Sequence, residues 1–596
     1  LVGEALFGWE GPVLCYDPVE RVVATLHPDR TWQKVVFDPW RQETWDANDT
    51  VLVADPRTDP DVGRHFRPLL DADFLPTWHQ QRVGGGLGTE AQAAARKAAV
   101  HAGTPAVAHT DVLGRTVLTV AHNRVQYSDS PAGAAPVEEF HRTRAVFDIS
   151  GHQRAVSDEY AKADRTVEQR TVMRYDYDLA GKRIHQASME AGERWLLADV
   201  AGKPLYVWDS RDRRIRTVFD QLRRPTDSLL QVGAGAGAAA ETVVERRIYG
   251  ESRPSPEAHN LRGRLVQHFD SAGVVAVDEV DFKGNALSSR RQLAAAYDAT
   301  PDWAAGPLLE TEGFVSRTRF DALNRPAQSV APHSDQPGAA VNVMQPVYNQ
   351  AGLLKKVDLW LDRTSEPAGV LDAATADVHS VTGTEYDAKR QRTLISHGNG
   401  ASTAYTYDPL TFRLVQLVTR RDPAAFPEDC PQPPAAGWPG CRVQNLNYTY
   451  DPVGNVTHIR DDAQQSRFFR NRRVEPSADY TYDAVYRLVE ATGREHLGQV
   501  GAAPTPSSYN DKPRVGVLLS SSDGTAVASY LERYVYDEAG NIRQLIHRGS
   551  DPGAPGWTRA YDYAEPTRLD PGKHSNRLTA TTIGATTQAY STAGDG

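Results

Sequence analysis

The sequence predicts an all-β chain built from stacked antiparallel hairpins, and three observations carry that prediction. The first is a short motif that keeps returning: an aromatic residue, Asp, two variable residues, Gly or a substitute, then a polar or basic residue. Tyr177-Asp178-Leu179-Ala180-Gly181-Lys182, Tyr450-Asp451-Pro452-Val453-Gly454-Asn455 and Tyr536-Asp537-Glu538-Ala539-Gly540-Asn541 are three copies. Self-similarity of this kind marks a repeat architecture. The second observation is the alternation of side chains before each copy, as in Val172 to Tyr177 and Arg533 to Tyr536, which reads as a half-buried strand. The third is a second strand-like run after each copy, Arg183 to Ala187 or Asn541 to Ile546. Strand, corner and strand make a hairpin, and many stacked hairpins make a long antiparallel sheet that must curl or close.

Each position of the unit has a physical reason. The aromatic residue ends the strand and buries its ring against the neighbouring rung. The Asp carboxylate accepts from backbone N–H groups two residues on, forming an Asx-turn. Gly then adopts positive φ without a Cβ clash. Where Arg223 or Asn324 replaces Gly, the turn is expected to change or strain slightly. Copies run from Tyr16-Asp17 through Phe147-Asp148, Phe219-Asp220, Phe320-Asp321, Tyr386-Asp387 and Tyr482-Asp483 to Tyr561-Asp562, with the shortest steps near twenty residues. The expected structural corners are therefore Tyr177, Asp178 and Gly181, then Tyr450, Asp451 and Gly454, then Tyr536, Asp537 and Gly540.

One stretch breaks the pattern. Gly84 to Gly88 leads into an Ala-rich run, and the spacing predicts one short helix near residues 89–102, capped by Thr89 with Gln92 and stopped by Gly103. This places boundaries at an N-terminal β segment over 1–83, a glycine-rich lead-in and helix over 84–105, and a repeat array over 106–596 that is incomplete at its end. Gly233 to Ala240 reads as a low-complexity surface loop.

Bulk properties exclude several classes. The 596 residues carry a net charge of −10, with Lys and Arg interleaved among acids, so no nucleic-acid surface is expected. No apolar run reaches membrane-spanning length, so no membrane span is expected. The chain begins at Leu1 without a signal-peptide pattern and is expected to be a fragment of a longer polypeptide. Cys430 and Cys441 bracket a Pro-rich loop and admit two readings, a small disulfide or two loop thiols.

Candidate chemical sites are few. Asp55, Asp59 and Asp61 could hold calcium, but they lack the EF-hand spacing, and a solvated loop is the default. The glycine runs lack a P-loop ending, and no Gly-x-Ser-x-Gly elbow is present. No catalytic residue, cofactor or metal site is therefore expected. Trp40, Trp45 and Trp78 lie outside the regular array and are the candidates for an interface.

On these motifs the chain resembles the YD-repeat family: Rhs proteins, the C components of bacterial insecticidal toxin complexes, and teneurins. The segment Thr25 to Trp40, continued through Trp45 to Val51, is similar to the B-type region of those complexes. The resemblance implies a spiralling, large hollow β shell, secreted or at the cell surface. It also implies a non-enzymatic role in encapsulating and protecting a C-terminal toxic effector that self-cleavage releases. The shell-closing core and its aspartyl cleavage site would lie beyond Gly596. Expected partners are the chain's own C-terminal effector as cargo and other toxin-complex or secretion-system components. Two other functions fit an all-β repeat: a cell-surface adhesion or glycan-recognition module, and a carbohydrate-active enzyme with paired acids across a cleft.

Overall fold

The computed structural model describes residues 11–131, 133–161, 166–233, 235–422, 424–429, 442–497 and 525–590. Both Cys430 and Cys441 lie outside them. The repeats form one long antiparallel sheet in which nearly every strand pairs with the next in sequence, from Val13–Tyr16 to Thr586–Ala589. The exception is a small hairpin, Arg467–Phe469 with Arg472–Val474, which stands apart as its own two-stranded sheet. There Val456–Asp461 pairs across it with Ser477–Tyr482. The sheet is not closed into a barrel.

The helix near 89–102 is present as Thr89–Val100 (α4), and three shorter helices precede it: Gly63–Phe66 (α1), Asp71–Phe74 (α2) and Trp78–Val83 (α3). The capping differs from the expectation. Gly88 is the N-cap of α4, and Gln92 instead donates to the Val83 carbonyl at 2.8 Å. The capping box belongs to α3, where Thr77 and Gln80 exchange side-chain and backbone bonds. All four helices are an insertion within the sheet, because Arg41–Trp45 pairs directly with Ala106–Thr110.

Cores are small and local. Trp32, Phe66 and Phe74 stack edge-on at 5.3 and 5.8 Å beneath Leu26. The Ala94, Ala95 and Ala98 face of α4 packs on Val51 and Trp78. Trp78 is thus a core residue rather than an interface candidate, whereas Trp40 is exposed. Farther along, Trp360 gathers Val330, Val341 and Val343, and Val266 gathers Leu261 and Val280. The rest is a one-layer wall. The accessible surface of the whole chain is 33632 Å², whereas a compact globule of 65.5 kDa would expose roughly 21,000 Å².

Curvature has a repeated cause. The strand register shifts next to the corner aromatic, at Ile248/Tyr249, Val347/Tyr348, Glu385/Tyr386, Thr449/Tyr450 and Val535/Tyr536 among others. Such bulges bend a strand and increase its twist. The wall therefore coils until distant parts meet: Asn48 touches Asp451, 403 residues away, and Arg170 touches His574, 404 residues away. A first winding thus lies beside the start of a second.

Candidate functional site: the hairpin corners and the seam between windings

The corner of each hairpin is built mostly by one carboxylate. Asp178 Oδ1 accepts from the N–H groups of Ala180 and Lys182, both at 2.9 Å, while the Gly181 N–H reaches the Asp178 carbonyl. Asp451 accepts from Gly454 and Asn455, and Asp537 from Ala539 and Asn541. Gly181, Gly454 and Gly540 all have positive φ. Arg223 and Asn324 hold the same left-handed conformation, at φ 62° and 67°, so the corner tolerates a side chain there without changing type.

The aromatic residue does more than fill space. Tyr177 donates its hydroxyl to the Gln153 carbonyl, Tyr450 to Leu414, Tyr482 to Val456 and Tyr536 to Leu488. Each acceptor is the first residue of a strand in the preceding hairpin. The basic residue that closes one corner lies over the next corner's ring: Arg115 over Phe147, Arg325 over Tyr348 and Arg487 over Tyr536, at 4.9, 4.3 and 4.8 Å. Such contacts contribute about 0.5–1 kcal/mol each at exposed sites. Cations also reach the next corner's backbone: Lys182 donates to the Val200 carbonyl and Arg487 to that of Asp537. Adjacent corners are thereby chained along one rim of the wall. Neither the hydroxyl bond nor the cation step is visible in a single motif copy; the signal was the basic residue recurring after Gly.

The seam joins second-winding corners to the first winding. Asn48 donates to Asp451 at 3.1 Å. Asn123 donates to Asp483 at 3.3 Å, and the Ala484 N–H reaches the Arg124 carbonyl at 3.1 Å. Helix α4 lies between the two layers, with Lys97 donating to the Thr457 and Tyr480 carbonyls and Glu90 paired with Arg460. Farther along, Arg533 bridges Glu490 and Asp129, and Arg170 reaches Asn576. Among the described residues no strand ladder links the windings; side chains and single backbone bonds do.

Electrostatics at the seam is unusual. Asp46 and Asp49 sit side by side, with the Asp46 N–H bonded to Asp49 Oδ2 at 2.8 Å and the Tyr486 hydroxyl bonded to Asp46. Burial, then the neighbouring Asp46 charge, pushes Asp49 up to about 7. Burial holds the Lys97 ammonium below its ordinary value. In the second winding, burial would lower His547, but the hydrogen bonds its ring donates to Glu495 and Glu532 raise it to about 9.

The remaining candidate residues are accounted for by neighbours. Lys34 Nζ sits 2.7 Å from both Asp59 and Asp61, and Arg57 pairs with Asp55 and Asp71, so these carboxylates face cations of the protein itself. An open cavity of about 880 Å³ lies at the seam between Arg82 and the corners of Asp408 and Asp451. Its lining mixes Asp29, Asp73 and Asp408 with Arg30, Arg82 and Arg413, and converges on no single charge.

No protein-family model matches the sequence. Two toxin subunits of Yersinia entomophaga do: YenC1, 29% identical over 492 residues, and YenC2, 29% identical over 466 residues. These alignments cover 81% and 74% of this chain but 45% and 43% of the relatives, so the chain spans less than half their length. Among solved structures, the Photorhabdus luminescens Tc holotoxin pore matches over 96% of this chain and 22% of its own, with 23% identity and a TM-score of 0.69. The crystal structure of TcdB2-TccC3 matches with 23% identity and a TM-score of 0.68 over 96% of this chain and 23% of its own. The wall, its corners and its relatives agree: the chain resembles Rhs-type YD-repeat proteins, and its sequence is similar to two subunits of a bacterial insecticidal toxin.

Proposed function

We propose that this chain is a non-enzymatic stretch of a toxin-complex shell, secreted with its complex, whose wall surrounds and shields a C-terminal effector until delivery. The observation that carries the reading is the one-layer wall wound back on itself. A chain that exposes roughly half as much surface again as a globule of its mass is a thin wall rather than a solid body. Containment needs no reacting group. It needs a continuous backbone ladder without gaps, which the sequential pairing supplies, and a way to fasten successive windings, which the seam supplies. The curled sheet also leaves few free strand edges that would pair with other chains.

The test is protease protection in the intact toxin complex. The effector segment should survive a protease dose that digests the isolated effector, and opening the seam with Asp483→Ala plus Asn123→Ala should make it digestible. An effector cut equally fast inside and outside the wild-type complex would refute containment.

A further inference from the structure

The open cavity of about 880 Å³ at the seam is built by both windings, and it holds polar groups that the fold leaves unused. The first winding supplies Asp29, on the turn between Val22–Leu26 and Trp32–Phe37, and Arg82, on α3. The start of the second supplies Asp408 and the rings of Tyr448 and Tyr450, whose centroids stack 6.5 Å apart. Each of the two aspartates commits one oxygen to its own turn. Asp29 Oδ1 accepts from the N–H and the hydroxyl of Thr31, and Asp408 Oδ1 accepts from the N–H groups of Leu410 and Thr411. Among the described residues, the second oxygen of each accepts no hydrogen bond. Arg82 is set on a platform: its guanidinium lies 4.3 Å over the ring of buried Trp78 and donates once, to the Trp78 carbonyl. No carboxylate among the described residues pairs with it, although Asp29 and Asp408 both lie near enough to act on its charge. The rest of its N–H fork is left for a ligand.

This donor set selects a class of ligand. A phosphate would meet two carboxylates, and a metal ion would meet a guanidinium. A neutral polyol suits both, because a hydroxyl donates to a carboxylate and accepts from an arginine. The volume lies within the roughly 300–1,000 Å³ of small-molecule sites, and the tyrosine rings offer an apolar face to the C–H side of a sugar ring. We infer that the cavity binds a neutral oligosaccharide across the seam, with Asp29 and Asp408 accepting its hydroxyls, Arg82 donating to its oxygens and Tyr448 and Tyr450 lining one side of a ring. A ligand held from both windings stabilises their contact, since whatever binds only the wound form draws the equilibrium toward it. The inference goes beyond containment and needs only the seam.

Calorimetry on the whole chain tests it, with maltotriose, cellotriose and triacetylchitotriose as neutral probes and trigalacturonate and trialanine as acidic and peptide controls. At least one neutral probe is expected to bind. Arg82→Met keeps the stem over Trp78, and Asp408→Asn keeps the turn acceptor; each should weaken that binding by about tenfold or more. A wild-type melting temperature in each unliganded variant shows that the wall is intact. Saturating ligand should also slow hydrogen exchange at the Thr31 N–H in the first winding and at the Thr411 N–H in the second. No binding of any neutral probe at millimolar concentration would overturn the inference. So would tighter binding of the acidic or peptide control, unchanged affinity in both variants, or protection on one winding alone.

Discussion

Asp178 and Asp483 occupy the same place in the same motif, yet one faces solvent and the other is sealed. Both accept two backbone N–H groups or their equivalents within the corner. Asp483 additionally holds Arg487 at 2.7 Å and receives Asn123 from the other winding, and it is 0% exposed. The difference teaches that the corner is a local device with two uses. By itself it turns the chain; placed against another winding, it fastens the wall. Local bonds recur in the copies at Asp178, Asp451, Asp483 and Asp537, and the energetic weight of a copy is set by what lies across the seam.

Removing the carboxylate separates the two uses most sharply. Asp483→Ala leaves Arg487 and Asn123 without their buried acceptor and is expected to lower the opening free energy of the flanking strands by about 3 kcal/mol or more. Asp178→Ala exposes its N–H groups to water and should lower it by about 1 kcal/mol. Hydrogen exchange in Leu488–His496 and in Arg183–Ser188 measures both, and equal losses would erase the distinction.

Titration should act on the seam through Asp49. Asp49 binds its proton more tightly folded than unfolded, since its value rises from 3.8 to about 7. Between those values the folded chain holds more protons, so stability falls as pH rises from about 4 to about 7 and then levels. Asp49→Asn should remove that slope and stabilise the seam at pH 8, read as slower exchange at the Thr104 N–H that Asp49 accepts.

Smaller effects sharpen the comparison further. Tyr450→Phe deletes the bond to the Leu414 carbonyl at 2.6 Å and should lower the melting temperature by the equivalent of about 1 kcal/mol. Phe147 and Phe219 already hold equivalent corners without a hydroxyl, so the fold should persist. Leu179→Ser on the exposed rim should change the stability of the isolated chain by less than about 0.5 kcal/mol, whereas Ala484→Ser, at the buried equivalent, should be measurably worse in the same melt.

Much of the architecture was legible because its causes are local. The alternation ending at Tyr177 or Tyr536, the acceptor Asp and the positive-φ Gly each leave a mark within six residues. The position of α4 was legible from its alanines, while its cap was not: Thr77 with Gln80 and Thr89 with Gln92 have the same spacing, and only packing decides which closes. The first two of the three short helices before it are held by the contact of Trp32 with Phe66 and Phe74, and the third by the contact of its Trp78 with α4, rather than by helical periodicity. Trp78 looked like a surface residue because its burial depends on α4, which follows it in the chain. The seam left no trace at all. Asp178, Asp451 and Asp483 read alike, and what distinguishes them is a neighbour some 360 to 403 residues away, as for Asn123 and Asn48.

The register shift beside many of the corner rings makes the coil behave like a vernier scale. The turns contributed by the hairpins between Asn123 and Asp483 must sum to one lap for the two to meet. Losing or gaining a whole hairpin in that interval would leave each remaining corner intact, yet slide every later one past its mate by a notch. Variation in the number of hairpins is therefore expected to be tolerated only in steps matched by compensating changes on the facing lap, which would make the diameter of the coil more resistant to evolutionary drift than its height.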